Sequence, residues 1–415
     1  MINLKTPIKR KPAKLPPKKK EINKITFPAA WTLLSKKAFE RRTIELDSCY
    51  QADKSLPIIL KISRLACDPA DTFEKQTALI GIKITPVEAK PIPSVVEGSA
   101  HYNSWPMIQA LGDRLICIYS RGTKHRIDEG VRGAYARTST DGDKTWSEEV
   151  TVCNDPQFGE VPIGKGLDES GHALFWIRKQ GRVRTHDLYR TKDGVNFERI
   201  ASLSPDPMPL QITDIFHVPN VGLMSIWFRG SKVKPELNAW GYFASKDNGK
   251  TWAQTVVEEC LSPFDWNTEQ SAVYLGDGKI LAIGRVESFP YTAKAQYQLL
   301  SRDYGKTWTR TLTNITDVAE STPSLIFDKK TGLVYNYYYQ RFRGMLKRRI
   351  VEADKILDNP KAWPKPEIVA FASPNGCDAG NVNATVQNGK HYLAYYSGDE
   401  KNTSVVVSES EPLKR

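Results

Sequence analysis

Apolar and polar positions alternate with a period of two through most of the chain, and the alternation is cut by short turns rich in Gly, Asp and Asn. The clearest instance is Thr268 to Arg285. Apolar residues from Ala272 to Ile283 flank the turn Gly276-Asp277-Gly278, which predicts a hairpin because Gly and Asp supply the positive φ of a tight turn. Glu269 precedes the first strand and Arg285 follows the second, so the hairpin brings a carboxylate and a guanidinium to one end. Taken alone, such a pair is equally a structural salt bridge.

The pattern recurs along the chain. Ser139 to Trp146 reads STDGDKTW, Ser245 to Trp252 reads SKDNGKTW and Ser301 to Trp308 reads SRDYGKTW, with a shorter copy, TKDGVNF, at Thr191 to Phe197. Their aspartates, Asp141, Asp193, Asp247 and Asp303, stand 52, 54 and 56 residues apart. A repeat of about fifty residues built from short strands predicts a β-propeller with one four-stranded blade per repeat. From Gly98 to the C terminus that spacing makes six blades. Within the motif the Asp is expected to accept hydrogen bonds from turn amides, the Gly to take a positive φ and the Trp to pack between sheets. Asp143 replaces the Gly of the first copy, and Asp is one of the few residues that tolerates the left-handed region. These four aspartates are structural candidates.

Reading back from each blade's first turn gives a ladder of residues expected at the channel mouth. It comprises Ser104 and Trp105, Lys165, Asp214, Glu269, Thr322, and Asn381 with Asn383. A mouth of Trp, Lys, Asp, Glu, Thr and Asn suits a hydroxyl-rich ligand, which requires many hydrogen bonds and an aromatic face.

The Ser-x-Asp-x-Gly-x-Thr-Trp signature resembles the Asp-box, or BNR, repeat of the sialidase superfamily, over Gly98 to about Pro412. The resemblance implies an all-β, six-bladed propeller. It also implies a site in which three arginines hold a sugar carboxylate, a Glu activates a Tyr nucleophile and an Asp is the acid/base. Glu269 and Arg285, sixteen residues apart, resemble the family's Glu and second arginine. Asp128, with Glu129 beside it, resembles the acid/base, and Arg343 the third arginine. Trp105, Asp214 and Asn381 join Arg285 and Arg343 as substrate-binding candidates. Two positions depart from the family: Ser104-Trp105-Pro106 stands where the first arginine belongs, and Gly380 or Asn381 where the Tyr belongs.

Composition changes the picture only at the N terminus. The net charge is +12, and between Lys5 and Lys20 there are eight Lys or Arg, no acid and four prolines. Residues 1–24 are therefore expected to form an extended basic arm. No aromatic residue is interleaved with the lysines, which ranks an acidic groove on a protein partner above nucleic acid. Residues 25–97 show strand-like runs and are expected to form a small β-rich unit, with AAWTLLSKKAFERR as an alternative short helix and EAKPIPSVVEGSA as the closing linker. No apolar run is long enough to span a membrane, and no secretory signal follows the positive N terminus. Six scattered cysteines without CxxC spacing point to reduced thiols and assembly in cytoplasm. The histidines show no metal-binding spacing, so neither a metal nor a cofactor is expected.

The expectation that unites these features is a glycan-recognising propeller with an incomplete catalytic site. Its arm would anchor it in a larger assembly such as a phage tail or virion. The alternatives are an active glycoside hydrolase using Glu269 with Asp128 or Glu129, and a purely structural virion module.

Overall fold

The structure is a computed structural model. It describes residues 92–413 except 126, 128–131, 231–233, 263–265, 288–294, 319–320, 342 and 374–378, together with strands Ile25–Phe27 and Ile58–Leu60. The chain divides into two compact units, Met1–Val87 and Glu88–Arg415. In the first, the two short strands pair antiparallel. The arm of residues 1–24 and the segment AAWTLLSKKAFERR lie outside the described residues.

The second unit is a six-bladed β-propeller. Blade one runs Tyr102–Leu111, Arg114–Gly122, Gly133–Ser139 and Val150–Cys153, and blade two runs Gly159–Leu167, Ala173–Gln180, Arg184–Thr191 and Phe197–Leu203. Blade three is Gln211–Val218, Gly222–Arg229, Ala239–Ser245 and Ala253–Glu259, and blade four Trp266–Gly276, Lys279–Glu287, Tyr297–Ser301 and Thr309–Leu312. Blade five is Pro323–Asp328, Leu333–Gln340, Met345–Glu352 and Glu367–Phe371. Blade six takes three strands, Ala379–Gln387, Lys390–Gly398 and Thr403–Ser410, from the C terminus.

The fourth strand of blade six is Ser94–Glu97, which pairs antiparallel with Thr403–Ser410. The run EAKPIPSVVEGSA is therefore not wholly a linker. Prolines exclude it from a central strand, but an edge position leaves Ser94–Glu97 free to pair on one side, and Val96 turns into the core. Both N- and C-terminal segments thus close the ring, which leaves one blade built from the two ends of the unit.

Several contacts fasten this seam. Glu97 meets Arg121 at 3.0 Å and Arg137 at 2.9 Å in blade one. Burial would raise its carboxyl, but hydrogen bonds from Ser99 and Arg137 and the Arg121 charge hold it near 2. Trp146 Nε1 donates to Ser94 Oγ at 2.9 Å.

The first strands of successive blades pack on one another around the whole ring. Blade two fits against blade three because Gly164 and Gly166 carry no side chain. A Cβ would come within 2.3 Å of the Thr213 carbonyl and 2.2 Å of the Ile215 carbonyl.

The repeated turns, Ser-x-Asp in blades one, three and four and Thr-x-Asp in blade two, join third to fourth strands. Asp247 Oδ1 accepts from Thr251 N at 2.8 Å, its Oδ2 from Thr251 Oγ1 at 2.6 Å, and Asp303 repeats the pattern with Thr307. Hydrogen bonds, first from the threonine hydroxyl, hold Asp141 and Asp247 at about 2. Asp193 in the shorter copy is instead bonded by Val195 and Asn196. The tryptophans face the preceding blade: Trp252 meets Trp176 at 5.2 Å and Trp308 meets Trp240 at 5.6 Å. Asp143 takes φ 68° in the glycine's place.

Blade five has no such turn. A short helix, Ala353–Asp358, fills the space. Gln298 Nε2 of blade four donates to the Ile356 carbonyl at 2.8 Å, and Ile356 and Trp363 are buried.

Candidate functional site

At the starts of the inner strands the channel opens into a cavity of about 360 Å³. Its wall is built by a local device shared among blades. The pairing of first and second strands shifts register between Ser104 and Met107, Pro162 and Gly164, Ile212 and Ile215, Thr268 and Ser271, and Gly380 and Asn383. Such a bulge re-aims side chains. In blades one, four and six the bulge holds a non-glycine residue at positive φ: Trp105 at 51°, Glu269 at 42° and Asn381 at 48°. All three line the cavity. Strain of this kind at equivalent positions marks a site.

Glu269 and Arg285 are joined as the hairpin reading expects. Arg285 Nη1 donates to Glu269 Oε2 at 2.5 Å, Thr268 is the cross-strand partner of Arg285, and both side chains are mostly buried. Asp214 lines the cavity's floor and also a second cavity of about 390 Å³ at the far end of the inner strands. Its Oδ2 accepts from Ser271 Oγ at 2.5 Å, and burial raises its carboxyl. Lys165 lines only the far cavity. Its Nζ donates to the Ala384 carbonyl at 2.5 Å, and burial, partly offset by Asp214, lowers it to about 8. Thr322 and Asn383 complete the ladder on the near side, and Asn383 Oδ1 also accepts from Ile108 N at 2.9 Å.

Asp128 and Glu129 lie outside the described residues, although His125 and Ile127 before them line the cavity. Arg343 stands in the turn after the second strand of blade five and is not among the described lining residues. A cationic side chain that sequence reasoning missed is Arg178, on the second strand of blade two, which reaches the cavity and donates to the Leu210 carbonyl at 3.2 Å. The available signal is an Arg directly after the apolar run of residues 173–177, at the polar end of the strand.

The two departures from the sialidase pattern have spatial explanations. Ser104 does meet an arginine, but from elsewhere: Arg132 Nη2 donates to Ser104 Oγ at 3.2 Å and to the Tyr102 carbonyl at 3.1 Å. Arg132 is 3% exposed, lies behind Trp105 and does not line the cavity, and burial lowers it to about 10. At Gly380, φ is +102° and a Cβ would stand 2.5 Å from Tyr339 Cδ1. The buried Tyr339 ring fills that space. Its hydroxyl donates to the Ser373 carbonyl at 2.6 Å, and burial lifts it to about 12, so it is no ready nucleophile.

Among the described residues no cluster of His, Cys, Asp and Glu could hold a metal ion, and no helix is long and apolar enough to cross a membrane. The described cysteines, Cys117, Cys153 and Cys260, are free thiols.

No protein-family model and no curated protein matches this chain in sequence. Solved structures do match its fold. A Hadza microbial sialidase superposes with a TM-score of 0.60 at 16% identity, over 80% of this chain and 71% of that one. The NanB sialidase of Streptococcus pneumoniae gives 0.57 at 12% identity, over 86% and 74%. The phage phi92 endosialidase gives 0.53 at 11% identity, over 78% and 69%. By fold, residues 92–413 are a sialidase-like six-bladed propeller.

Proposed function

We propose that the protein recognises a surface glycan in the cavity at the starts of the inner strands and lacks the covalent route of a Tyr-dependent sialidase. The observation that carries this reading is the combination of a retained Glu269–Arg285 pair with Gly380, whose side-chain space is taken by the Tyr339 ring. A tyrosinate nucleophile needs both a Tyr at the cavity and a carboxylate beside it. Here the carboxylate remains, and neutral groups such as Gln211, Gln270 and Thr322 surround it to bond hydroxyls.

The test incubates the full chain with fluorogenic sialosides and a panel of bacterial surface polysaccharides, beside Glu269→Gln and Arg285→Ala. Saturable binding without released sugar is expected, weakened about tenfold or more in both variants. Sugar release by the wild type that Glu269→Gln abolishes would overturn the reading. It would favour a hydrolase working with Asp128 or Glu129, whose neighbours His125 and Ile127 line the cavity.

The arm would anchor the propeller in a larger assembly such as a phage tail or virion, docking in an acidic groove on a protein partner. Its charge and prolines support this, as does a phage endosialidase among the fold neighbours. Deleting residues 1–24 should leave the propeller folded and exclude it from its assembly; unchanged incorporation would refute anchoring.

A further inference from the structure

We infer that Trp105, backed by the Arg132 guanidinium, is a stacking wall for the apolar face of an uncharged sugar ring, so that the cavity selects neutral over carboxylated glycans. The inference rests on the glycan-binding reading above and names the ligand class of that site.

Trp105 occupies a position that local preference disfavours. A Trp at φ 51° followed by Pro106 is uncommon, and only the surrounding structure holds it there. Its ring is fixed from behind. The Arg132 Cζ lies 4.6 Å from the Trp105 ring centroid and 5.4 Å from that of Tyr102. Arg132 is itself held by the Tyr102 carbonyl, Ser104 Oγ and the Lys124 carbonyl. Tyr102 and Tyr396 pack about the indole at 6.4 Å each, and His125 at 5.1 Å. Trp105 is 9% exposed, and it lines the cavity while Arg132 does not. Most of the indole packs in the core, and its small open part borders the ligand space. A rigid ring presented in this way matches the C–H face of a pyranose.

The charges in the cavity point the same way. A carboxylate ligand calls for guanidinium forks that converge on it. Arg285 is engaged by Glu269 at 2.5 Å, Arg132 stands behind the indole, and Arg178 is nine-tenths buried and donates to the Leu210 carbonyl. Two carboxylates, Glu269 and Asp214, line the same cavity as Arg178 and Arg285, so its described lining carries no excess of positive charge to draw an anionic sugar. The position where the sialidase resemblance expects a carboxylate-binding arginine holds Ser104, beside the indole.

The experiment is titration calorimetry of the full chain against matched pairs of oligosaccharides, each with a neutral terminal hexose or N-acetylhexosamine and its sialylated or uronic counterpart. Trp105→Phe, Trp105→Leu and Trp105→Ala are measured beside the wild type, with thermal melting to confirm folding. Neutral members should bind at least about tenfold more tightly than carboxylated ones. Trp105→Phe should keep affinity within about threefold, while Trp105→Leu, of similar apolar character but without a ring face, loses about tenfold. If Trp105→Ala does not fold, the Phe and Leu comparison decides the matter, and equal affinity in those two overturns the inference. Preference for the carboxylated members, lost in Arg285→Ala and kept in Trp105→Leu, overturns it while leaving glycan recognition standing. No binding to either class overturns both.

Discussion

Left-handed backbone in the Ser-x-Asp turns and in the inner-strand bulges is held in different ways. In the Ser-x-Asp turns, Asp143, Asn248 and Tyr304 adopt φ of 61° to 68° next to glycines that do the same. Each turn carries its own fastening. The serine hydroxyl accepts from the residue four on, and the aspartate from the threonine amide and hydroxyl. Around the channel, Trp105, Glu269 and Asn381 adopt φ of 42° to 51° in bulged strands with no such local motif. The turn is stabilised by its own residues, and the bulge by the neighbouring blades. The first recurs wherever the motif is written, whereas the second holds side chains in a cavity at a cost of about 1–3 kcal/mol each.

The comparison is most severely tested at Gly380. Its φ of +102° and the Tyr339 ring together forbid a side chain, so the blade-six bulge depends on a contact with blade five. Gly380→Ala is expected to destabilise the propeller by about 3 kcal/mol or more, read from denaturant unfolding. A loss below about 1 kcal/mol would mean that the bulge is as self-contained as the turns.

The second test lies at the rim. Asp143 is buried beside Glu409, and burial followed by that repulsion lifts its carboxyl to about 6. A carboxyl raised in the folded state is stabilising only while protonated. Stability attributable to this group is therefore present below about pH 4 and falls as pH rises through 6. Asp143→Gly removes both the charge and the left-handed side chain. It should stabilise the protein by about 2 kcal/mol at pH 7 and by less at pH 4. Thermal melts of both proteins across that range check the sign, and a gain independent of pH would show that backbone strain alone is relieved. Asp141 and Asp247 behave oppositely. Held near 2, they contribute stability present above 3.8 and lost as pH falls from there toward 2.

This difference also explains what was legible in the sequence. The motif is local and repeats, so the blade number and the turn geometry follow from a few residues, and so does the Glu269–Arg285 hairpin. The inner bulges depend on contacts between blades distant in sequence, so nothing near Trp105 announces its left-handed backbone. Arg132 lies 28 residues from Ser104, whose hydroxyl it reaches, and its approach is likewise invisible until the strands are paired. Arg178, followed by Lys179 and Gln180, reads as the polar end of its strand until the blades are assembled. The helix Ala353–Asp358 leaves no mark in the sequence because its six residues are too few to show a period. Ser94–Glu97 looks like linker in the sequence because its partner strand is Thr403–Ser410, near the C terminus.

The smallest expected effect separates strain from function at a single residue. Asn381 sits in the blade-six bulge at φ 48° and lines the cavity. If the blades impose that backbone for the sake of the ligand, a glycine there should relieve strain without disturbing the fold. Asn tolerates the left-handed region better than most residues, and glycine adds entropy to the unfolded chain, so the two effects nearly offset each other. Asn381→Gly should therefore change stability by no more than about 0.5 kcal/mol in either direction. Glycan affinity should nevertheless fall several-fold, because the amide no longer faces the cavity. Unfolding and glycan titration on the same preparation read both quantities. A loss of stability with affinity intact would place Asn381 among the residues that fasten the blades, and would remove it from the ligand wall shared with Trp105 and Glu269.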